Sequence, residues 1–153
     1  MIQKICYWLS VWFGSGLLKP APGTWGTLAS LPFWIILLNI LSPQSFAFVV
    51  ILSIPFSYFT IKAALPLFTS EDPKEIVLDE VVGMGIAMLF AVNSYIDIAI
   101  LFILFRLLDI TKPWPIGWVD ERIKGAWGIL LDDVLAGILA IFCFIAVKVV
   151  FYP

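Results

Sequence analysis

Long runs of apolar residues, interrupted by short polar segments, dominate the chain. The runs cover residues 28–41, 46–61, 81–92, 95–110 and 129–151. Continuous apolar stretches of this kind are typical of helices that are surrounded by lipid or by other helices. A helix needs about 20 apolar residues to cross the hydrocarbon core of a bilayer, so the first and third runs are short. The pattern predicts an all-α, polytopic membrane helix bundle with about five transmembrane helices.

Residues 2–18 form a further apolar stretch, but this one carries Gln3, Lys4 and Ser10 on roughly one side. Its tyrosine and tryptophan residues are of the types that favour a membrane interface. We therefore expect an amino-terminal helix that lies at the interface. A secretory signal peptide is the alternative, but the positive charge before the apolar run is weak and no A-x-A cleavage motif follows it.

The composition supports a single integral-membrane domain over residues 1–153. The chain is 62% hydrophobic and 13% charged, with a mean hydropathy of +1.06. Soluble domains are about 25% charged, so most of this surface is expected to face lipid. The net charge of −2 argues mildly against nucleic-acid binding, which calls for a clustered basic face. Nothing in the sequence identifies a protein partner.

The positions of lysine and arginine predict the orientation in the membrane. Basic residues lie at the amino end, between the second and third runs, and between the fourth and fifth runs. The turns at 42–45 and 93–95 carry none, and Lys148 near the end of the fifth run is the exception. Because cytoplasmic loops are enriched in lysine and arginine, we expect a cytoplasmic amino terminus. All the polar motifs described next then fall at the cytoplasmic face.

The first of these motifs is KPAPGTWGT at residues 19–27, whose two prolines and two glycines predict a turn or loop. Its backbone N–H groups and the hydroxyls of Thr24 and Thr27 could bind a phosphate. A turn that only leads the chain into the membrane would need the same glycines and prolines, so this signal is weak on its own.

Adjacent acidic residues open two of the apolar runs, at Asp79-Glu80 and Asp132-Asp133. Capping is the simpler interpretation, since a carboxylate at a helix amino end stabilises the helix by roughly 0.3–1 kcal/mol. One acid per helix would suffice for capping. Two acidic residues at the start of each of two helices, in a chain with few charges, indicate a functional site.

The most charged segment covers residues 105–137. Arg106, Asp109 and Lys112 follow one another at intervals of three residues, at the end of a helix that two prolines terminate. A loop is predicted to follow over residues 112–128. A row of ion pairs within the helix is one interpretation. Ionisable groups at membrane depth are costly and tend to face a bundle interior or a wet cavity, which favours a functional site.

The chain has no histidine, which excludes histidine nucleophiles, histidine bases and the usual zinc sites. Carboxylates in one cleft would repel one another unless cations compensate. Oxygen ligation suits Mg²⁺ or Mn²⁺, and the cation would also let an anionic phosphate enter. The carboxylates available for such a site are Asp79, Glu80, Asp109, Asp132 and Asp133.

Three segments resemble the signature blocks of the phosphatidylglycerophosphatase A family, in that family's order. They are GSGLLKPAPGTWGTLASLP, LDEVVG and FRLLDITKPWPIGWVDERIKGAWGILLDDVLAG, at residues 14–32, 78–83 and 105–137. The resemblance implies a Mg²⁺-dependent enzyme of the bacterial inner membrane that faces the cytoplasm. It would hydrolyse the terminal phosphate of phosphatidylglycerophosphate to give phosphatidylglycerol and inorganic phosphate, in phosphatidylglycerol and cardiolipin synthesis.

On this interpretation the five carboxylates bind metal and transfer protons, while Arg106, Lys112, Thr24 and Thr27 bind the phosphate. We expect water to attack phosphorus in line, with an aspartyl nucleophile as the alternative. Other functions that fit the sequence are a divalent-cation transporter with a cytoplasm-facing carboxylate site, a lipid phosphotransferase, and a lipid phosphatase of broader specificity that also accepts phosphatidate.

Overall fold

The computed structural model describes residues 1–70, 72–91 and 94–151, and every regular element in these ranges is a helix. The all-α class is therefore confirmed. The α-helices are α1 (Ile2–Ser10), α2 (Pro22–Ile40), α3 (Pro43–Ala64), α4 (Leu78–Ala87), α5 (Tyr95–Thr111), α6 (Ile116–Arg122) and α7 (Gly125–Phe151). Short 3₁₀ helices lie at Trp12–Leu17, Leu65–Leu67 and Met88–Phe90.

In the described part of the chain, three helices are long and apolar enough to cross a membrane. They are α2, α3 with its 3₁₀ extension (Pro43–Leu67), and α7 up to Val150. Large apolar side chains on their outer faces, such as Ile36, Phe48 and Phe142, are exposed. We expect these outer faces to contact lipid.

The predicted number of about five spans is not confirmed. Helix α5 has 17 residues and is slightly short, and α4 has 10 residues. At 1.5 Å per residue, α4 is about 15 Å long, half the thickness of the hydrocarbon core. The end of the predicted third run, Val92, and the first residue of the predicted turn at Asn93-Ser94 lie outside the described residues. Every residue of α4 except Glu80 is buried within the protein. The sequence prediction missed this because hydropathy cannot distinguish a helix in lipid from one enclosed by protein.

Helix α4 lies at the centre of the bundle because two glycines let it approach α7 closely. A Cβ on Gly137 would lie 2.4 Å from the carbonyl oxygen of Gly83, and one on Gly83 would lie 2.8 Å from the carbonyl oxygen of Asp133. Small residues allow this backbone contact between helices in membranes. From the other side, Trp34 Nε1 of α2 donates a hydrogen bond of 2.8 Å to the Val81 carbonyl.

The amino-terminal segment is helical but is not the single helix predicted over residues 2–18. Helix α1 ends at Ser10, and the following 3₁₀ segment contains Phe13 and Gly14 with φ of 56° and 100°. The N–H of Val77 donates to the Ser10 carbonyl at 2.9 Å and ties α1 to the segment before α4. Its position at the membrane interface stays a prediction.

The loop predicted over residues 19–27 is wrong from Pro22 onwards, because Pro22 begins α2. Proline suits the first position of a helix, where its fixed φ is already helical and the N–H that it lacks would have no partner. Thr24 and Thr27 therefore lie in the first two turns of a helix.

The loop predicted over residues 112–128 is also wrong in part, since it contains α6 and the first turn of α7. Asp132 and Asp133 are the eighth and ninth residues of α7 and do not begin it. Capping at a helix amino end therefore cannot account for them. Asp79 and Glu80, in contrast, do lie in the first turn of α4.

Candidate active site

A cavity of about 710 Å³ opens where α2, α4 and α7 begin and α5 ends. Eight of the nine site residues predicted from the sequence line it: Thr24, Asp79, Glu80, Arg106, Asp109, Lys112, Asp132 and Asp133. The ninth, Thr27, is fully buried in α2 and is not among the residues that line the cavity. The structure thus brings together side chains that are up to 109 positions apart in the sequence.

Three of the carboxylates form a cluster. Asp79, Glu80 and Asp133 each contribute one oxygen, and these three atoms all lie within 4.8 Å of one another. Asp79 Oδ1, Glu80 Oε2 and Asp133 Oδ1 are buried and have no hydrogen-bond partner among the described residues. Buried carboxylates are costly unless they are paired or coordinate a metal. A set of close, unpaired carboxylate oxygens is of the kind that Mg²⁺ prefers.

Acidic residues outnumber basic residues in the lining of the cavity. The acidic residues in its lining are Asp72, Asp79, Glu80, Asp109, Asp120, Asp132 and Asp133. The basic ones are Lys74, Arg106, Lys112 and Lys124. The excess of negative charge would repel a phosphate unless a cation reverses the local potential.

Burial changes the acidity of the first turn of α4. It raises the pKa of Asp79 well above its ordinary value, and the neighbouring carboxylates of Glu80 and Asp132 raise it further. Burial also raises the pKa of Glu80 to about 7, although Arg106 acts in the opposite direction. Near neutral pH Glu80 can therefore bind either a proton or a cation, and both relieve the repulsion between the carboxylates.

Arg106 connects three helices at the cavity wall. Its Nη1 pairs with Asp109 Oδ2 at 2.5 Å, as the three-residue spacing predicts, and lies 3.7 Å from Glu80 Oε1. Nη1 also donates to Thr27 Oγ1 at 3.4 Å, and that hydroxyl donates to the Gly23 carbonyl at 2.8 Å. Thr27 therefore helps to hold the guanidinium group in position, although it does not line the cavity. Arg106 Nε is buried without a partner in the described residues.

Gly23 provides the space for this contact, a role that sequence reasoning missed by treating it as a turn residue. A Cβ at this position would lie 2.1 Å from Glu80 Oε1 and 3.0 Å from Arg106 Nη2. Gly23 belongs to the first turn of α2, where backbone N–H groups have no partner within the helix. Such a helix start favours an anion in the cavity.

Lys112 lies just beyond α5 in a left-handed conformation, with φ of 43°. Its Nζ donates to Asp120 Oδ1 at 2.6 Å and to Asp132 Oδ2 at 2.8 Å, in place of the contact with Asp109 that the spacing suggested. Burial lowers the pKa of Lys112, but the bonds to the two carboxylates outweigh it and the pKa is raised. The ammonium group thus holds α6 against α7.

Asp120 is the second residue that the sequence analysis missed. It lies in α6, within the stretch predicted as a loop, and its only signal was its place in a segment dense in charge. Its bond to Lys112 depends on the turn between α5 and α6, which no spacing rule predicts. Asp120 lines the cavity together with the predicted carboxylates.

Comparison with known proteins gives a consistent result. The family model described as phosphatidylglycerophosphatase A matches residues 8–148. A protein of that name from Escherichia coli K12 is 39% identical over 133 residues, which are 86% of this chain and 77% of the relative. One from Haemophilus influenzae Rd is 38% identical over 141 residues, 92% of this chain and 86% of the relative.

A third relative carries a different name. This Bacteroides thetaiotaomicron protein, provisionally named phosphatidylinositol-3-phosphatase, is 38% identical over 141 residues, 88% of this chain and 87% of the relative. No solved structure matches the chain significantly.

Proposed function

Because the chain belongs to the phosphatidylglycerophosphatase A family, and is therefore a phosphoric monoester hydrolase, we propose that it removes the terminal phosphate of phosphatidylglycerophosphate. The products are phosphatidylglycerol and inorganic phosphate, and the lipid product would feed phosphatidylglycerol and cardiolipin synthesis. The observation that carries the proposal is the cluster of Asp79, Glu80 and Asp133 within 4.8 Å, in a cavity at one end of apolar helices.

Asp79, Glu80 and Asp133 would hold a divalent cation, Mg²⁺ or Mn²⁺, with oxygens that have no other partner in the described residues. The cation supplies Lewis acidity, which offsets the charge of the phosphate and lowers the pKa of water. Two residues of this cluster belong to α4 and one to α7, so the contact between these helices determines the geometry of the site.

Arg106, Lys112 and the start of α2 would bind the phosphate oxygens. Donors that are already in place where charge develops stabilise a transition state effectively, because they need little reorganisation. Arg106 is held by Asp109 and Thr27, and Lys112 is held by Asp120 and Asp132. The Thr24 side chain lines the cavity beside the unpaired N–H groups of the helix start.

Asp109 and Asp132 are the proposed proton carriers. Hydrolysis forms a bond between water oxygen and phosphorus and breaks the bond between phosphorus and the glycerol oxygen. One carboxylate must accept the proton of water, and one acid must supply a proton to the leaving oxygen. Asp132 binds Lys112 through Oδ2, while its buried Oδ1 has no partner in the described residues and can exchange a proton.

Membership of a phosphatase family favours hydrolysis over cation transport, which the sequence alone left open. The lipid itself has a second candidate, because the Bacteroides relative is named for phosphatidylinositol phosphate. Turnover of phosphatidylglycerophosphate, phosphatidate and phosphatidylinositol 3-phosphate should therefore be compared in the same micelles. We expect the first to be the fastest.

The decisive experiment measures phosphate release by the purified chain from phosphatidylglycerophosphate in detergent micelles. We expect release with Mg²⁺, loss of release with a chelator, and recovery when Mg²⁺ or Mn²⁺ is added in excess. Release that is insensitive to chelator would refute the metal site. A protein that folds and binds Mg²⁺ but releases no phosphate from this lipid would refute the substrate.

A further inference from the structure

A second cavity, of about 890 Å³, adjoins the candidate active site. The two cavities share the lining residues Pro20, Pro22, Asp72, Pro73 and Lys74. Lys74 therefore borders both, while Lys19 borders only the second. A ligand bound in the first cavity can extend into the second without leaving the protein surface.

The walls of the second cavity are well-packed parts of the fold. Tyr7 of α1 stacks on Phe68, with ring centroids 5.1 Å apart. Elsewhere in the lining, a Cβ on Gly16 would lie 2.1 Å from the carbonyl oxygen of Glu75, so the segments that carry these two residues are in close contact. The cavity is thus a defined space between α1, its 3₁₀ extension and the segment before α4.

The basic residues of the two cavities differ in their partners. Of the basic residues that line only the first cavity, Arg106 and Lys112 are bound by carboxylates, and Lys124 Nζ donates to the Asp120 carbonyl at 3.0 Å. Within residues 1–70, 72–91 and 94–151, neither Lys19 nor Lys74 forms an ion pair, although two acids also line the second cavity. Both ammonium groups are exposed and available to an anion.

We propose that the second cavity binds the phosphodiester of the lipid substrate, with Lys74 and Lys19 as its cationic contacts. This inference rests on the proposed function. Phosphatidylglycerophosphate carries a phosphodiester one glycerol unit away from its terminal phosphate, so a terminal phosphate in the first cavity places the diester next to it. Leu17 and Leu67 line the same cavity and are 44% and 45% exposed, which provides an apolar border towards the acyl chains.

The second cavity would then favour lipids that carry a phosphodiester as well as a phosphomonoester. Phosphatidate has a monoester but no diester, so it cannot use Lys74 and Lys19 in this way. Phosphatidylglycerol, the product, has the diester but no monoester, and it should occupy only the second cavity. Inorganic phosphate should occupy only the first.

Kinetics of lysine variants test this assignment. In nonionic detergent micelles with Mg²⁺, Lys74→Gln and Lys19→Gln should each raise the KM for phosphatidylglycerophosphate about tenfold and leave kcat within about twofold. Lys74→Arg keeps the charge and should stay close to wild type. Lys62→Gln is the matched control, because Lys62 is also exposed but lines neither cavity.

Inhibition separates a lipid diester from free phosphate as the ligand. Phosphatidylglycerol should inhibit the wild type competitively, and its inhibition constant should rise about tenfold in Lys74→Gln. The inhibition constant of inorganic phosphate should not change. An equal change for both inhibitors would overturn the proposal.

The failures of the two proposals are distinguishable. If the wild type releases phosphate but both lysine variants keep a wild-type KM, the second site is refuted and the phosphatase assignment stands. A rise in KM for Lys62→Gln equal to that for Lys74→Gln would also refute the site, since it would reflect general attraction to anionic lipid. A wild type without activity on this lipid would refute the proposed function itself.

Discussion

At the scale of single residues, the five carboxylates that the sequence predicted for the site differ in their partners. Three lie together with oxygens that no described residue binds. The other two bind a cation at close range, Asp109 through Arg106 and Asp132 through Lys112, whereas Glu80 lies 3.7 Å from Arg106. Asp132 also keeps one buried oxygen, Oδ1, without a partner in the described residues, and it does not belong to the three-residue cluster. We therefore propose metal binding for the clustered group and proton transfer for Asp109 and Asp132.

Replacement of single carboxylates tests these roles. Asp79→Asn, Asp109→Asn and Asp133→Asn should each lower phosphate release about a hundredfold or more, because each removes a charge that the transition state requires. The control is Asp97→Asn, since Asp97 is buried like Asp79 and Asp133 but pairs with Lys148 and does not line the cavity. It should keep its activity per folded molecule, and near-normal turnover in all three site variants would falsify the carboxylate site.

The acidity of Glu80 gives the proposed metal binding a pH dependence. With a pKa of about 7, Glu80 is neutral below that pH and cannot bind a cation as a carboxylate. Protons and Mg²⁺ then compete for Glu80, so the Mg²⁺ concentration for half-activation should rise by about tenfold for each pH unit below 7. Activity titrations with Mg²⁺ at several pH values measure this, and a constant value across the range would contradict it.

At the scale of helices, the crossing of α4 and α7 determines the position of the metal cluster. Gly137→Ala would place a Cβ 2.4 Å from the Gly83 carbonyl oxygen and force the two helices apart. We expect a loss of stability of about 1–3 kcal/mol, as for other overpacked contacts, together with lower activity. Thermal unfolding in detergent and phosphate release measure the two effects.

Gly23→Ala provides the comparison for this variant. Its Cβ would meet the side chains of Glu80 and Arg106 instead of a helix backbone. Activity should therefore fall while stability changes less than in Gly137→Ala. Equal losses of stability in the two variants would show that the α4 crossing has no special role.

The sequence predicted the helical class and the carboxylates that meet in the cavity, because charge density and apolar runs are local properties. It did not predict that α4 is too short to cross the hydrocarbon core, since the hydropathy of an apolar run is the same whether protein or lipid surrounds it. It also missed Asp120 and Gly23. The role of Asp120 depends on a bond formed across a turn, and that of Gly23 on the close approach of side chains from two other helices.

At the scale of the whole molecule, the basic residues are distributed very unevenly. Of the nine lysine and arginine residues, Lys148 is the one that lies at the far end of α7. It pairs at 2.9 Å with Asp97 in the first turn of α5, and it remains the exception to the predicted orientation. Five of the other basic residues line the two cavities, namely Lys19, Lys74, Arg106, Lys112 and Lys124. The proposal that the cavities face the cytoplasm is therefore open to test.

Cysteine labelling tests this orientation. Ser70 lines the second cavity, Gln44 lies at the other end of α3, and both are exposed. Each would be replaced singly, as Ser70→Cys or Gln44→Cys, in a protein from which Cys6 and Cys143 have been removed. A membrane-impermeant maleimide should label Ser70→Cys only in inverted vesicles and Gln44→Cys only from outside. The reverse pattern would contradict the cytoplasmic orientation.

The bonds of Lys112 to Asp120 and Asp132 also affect its chemical reactivity. Acylating reagents attack neutral amines, and its raised pKa leaves very little of the neutral form. Lys19 and Lys74, which have no ion pair in the described part of the chain, are not protected in this way. Amine-directed modification should therefore reach the rim of the two cavities first and leave the Lys112 ammonium, deeper in the first cavity, intact.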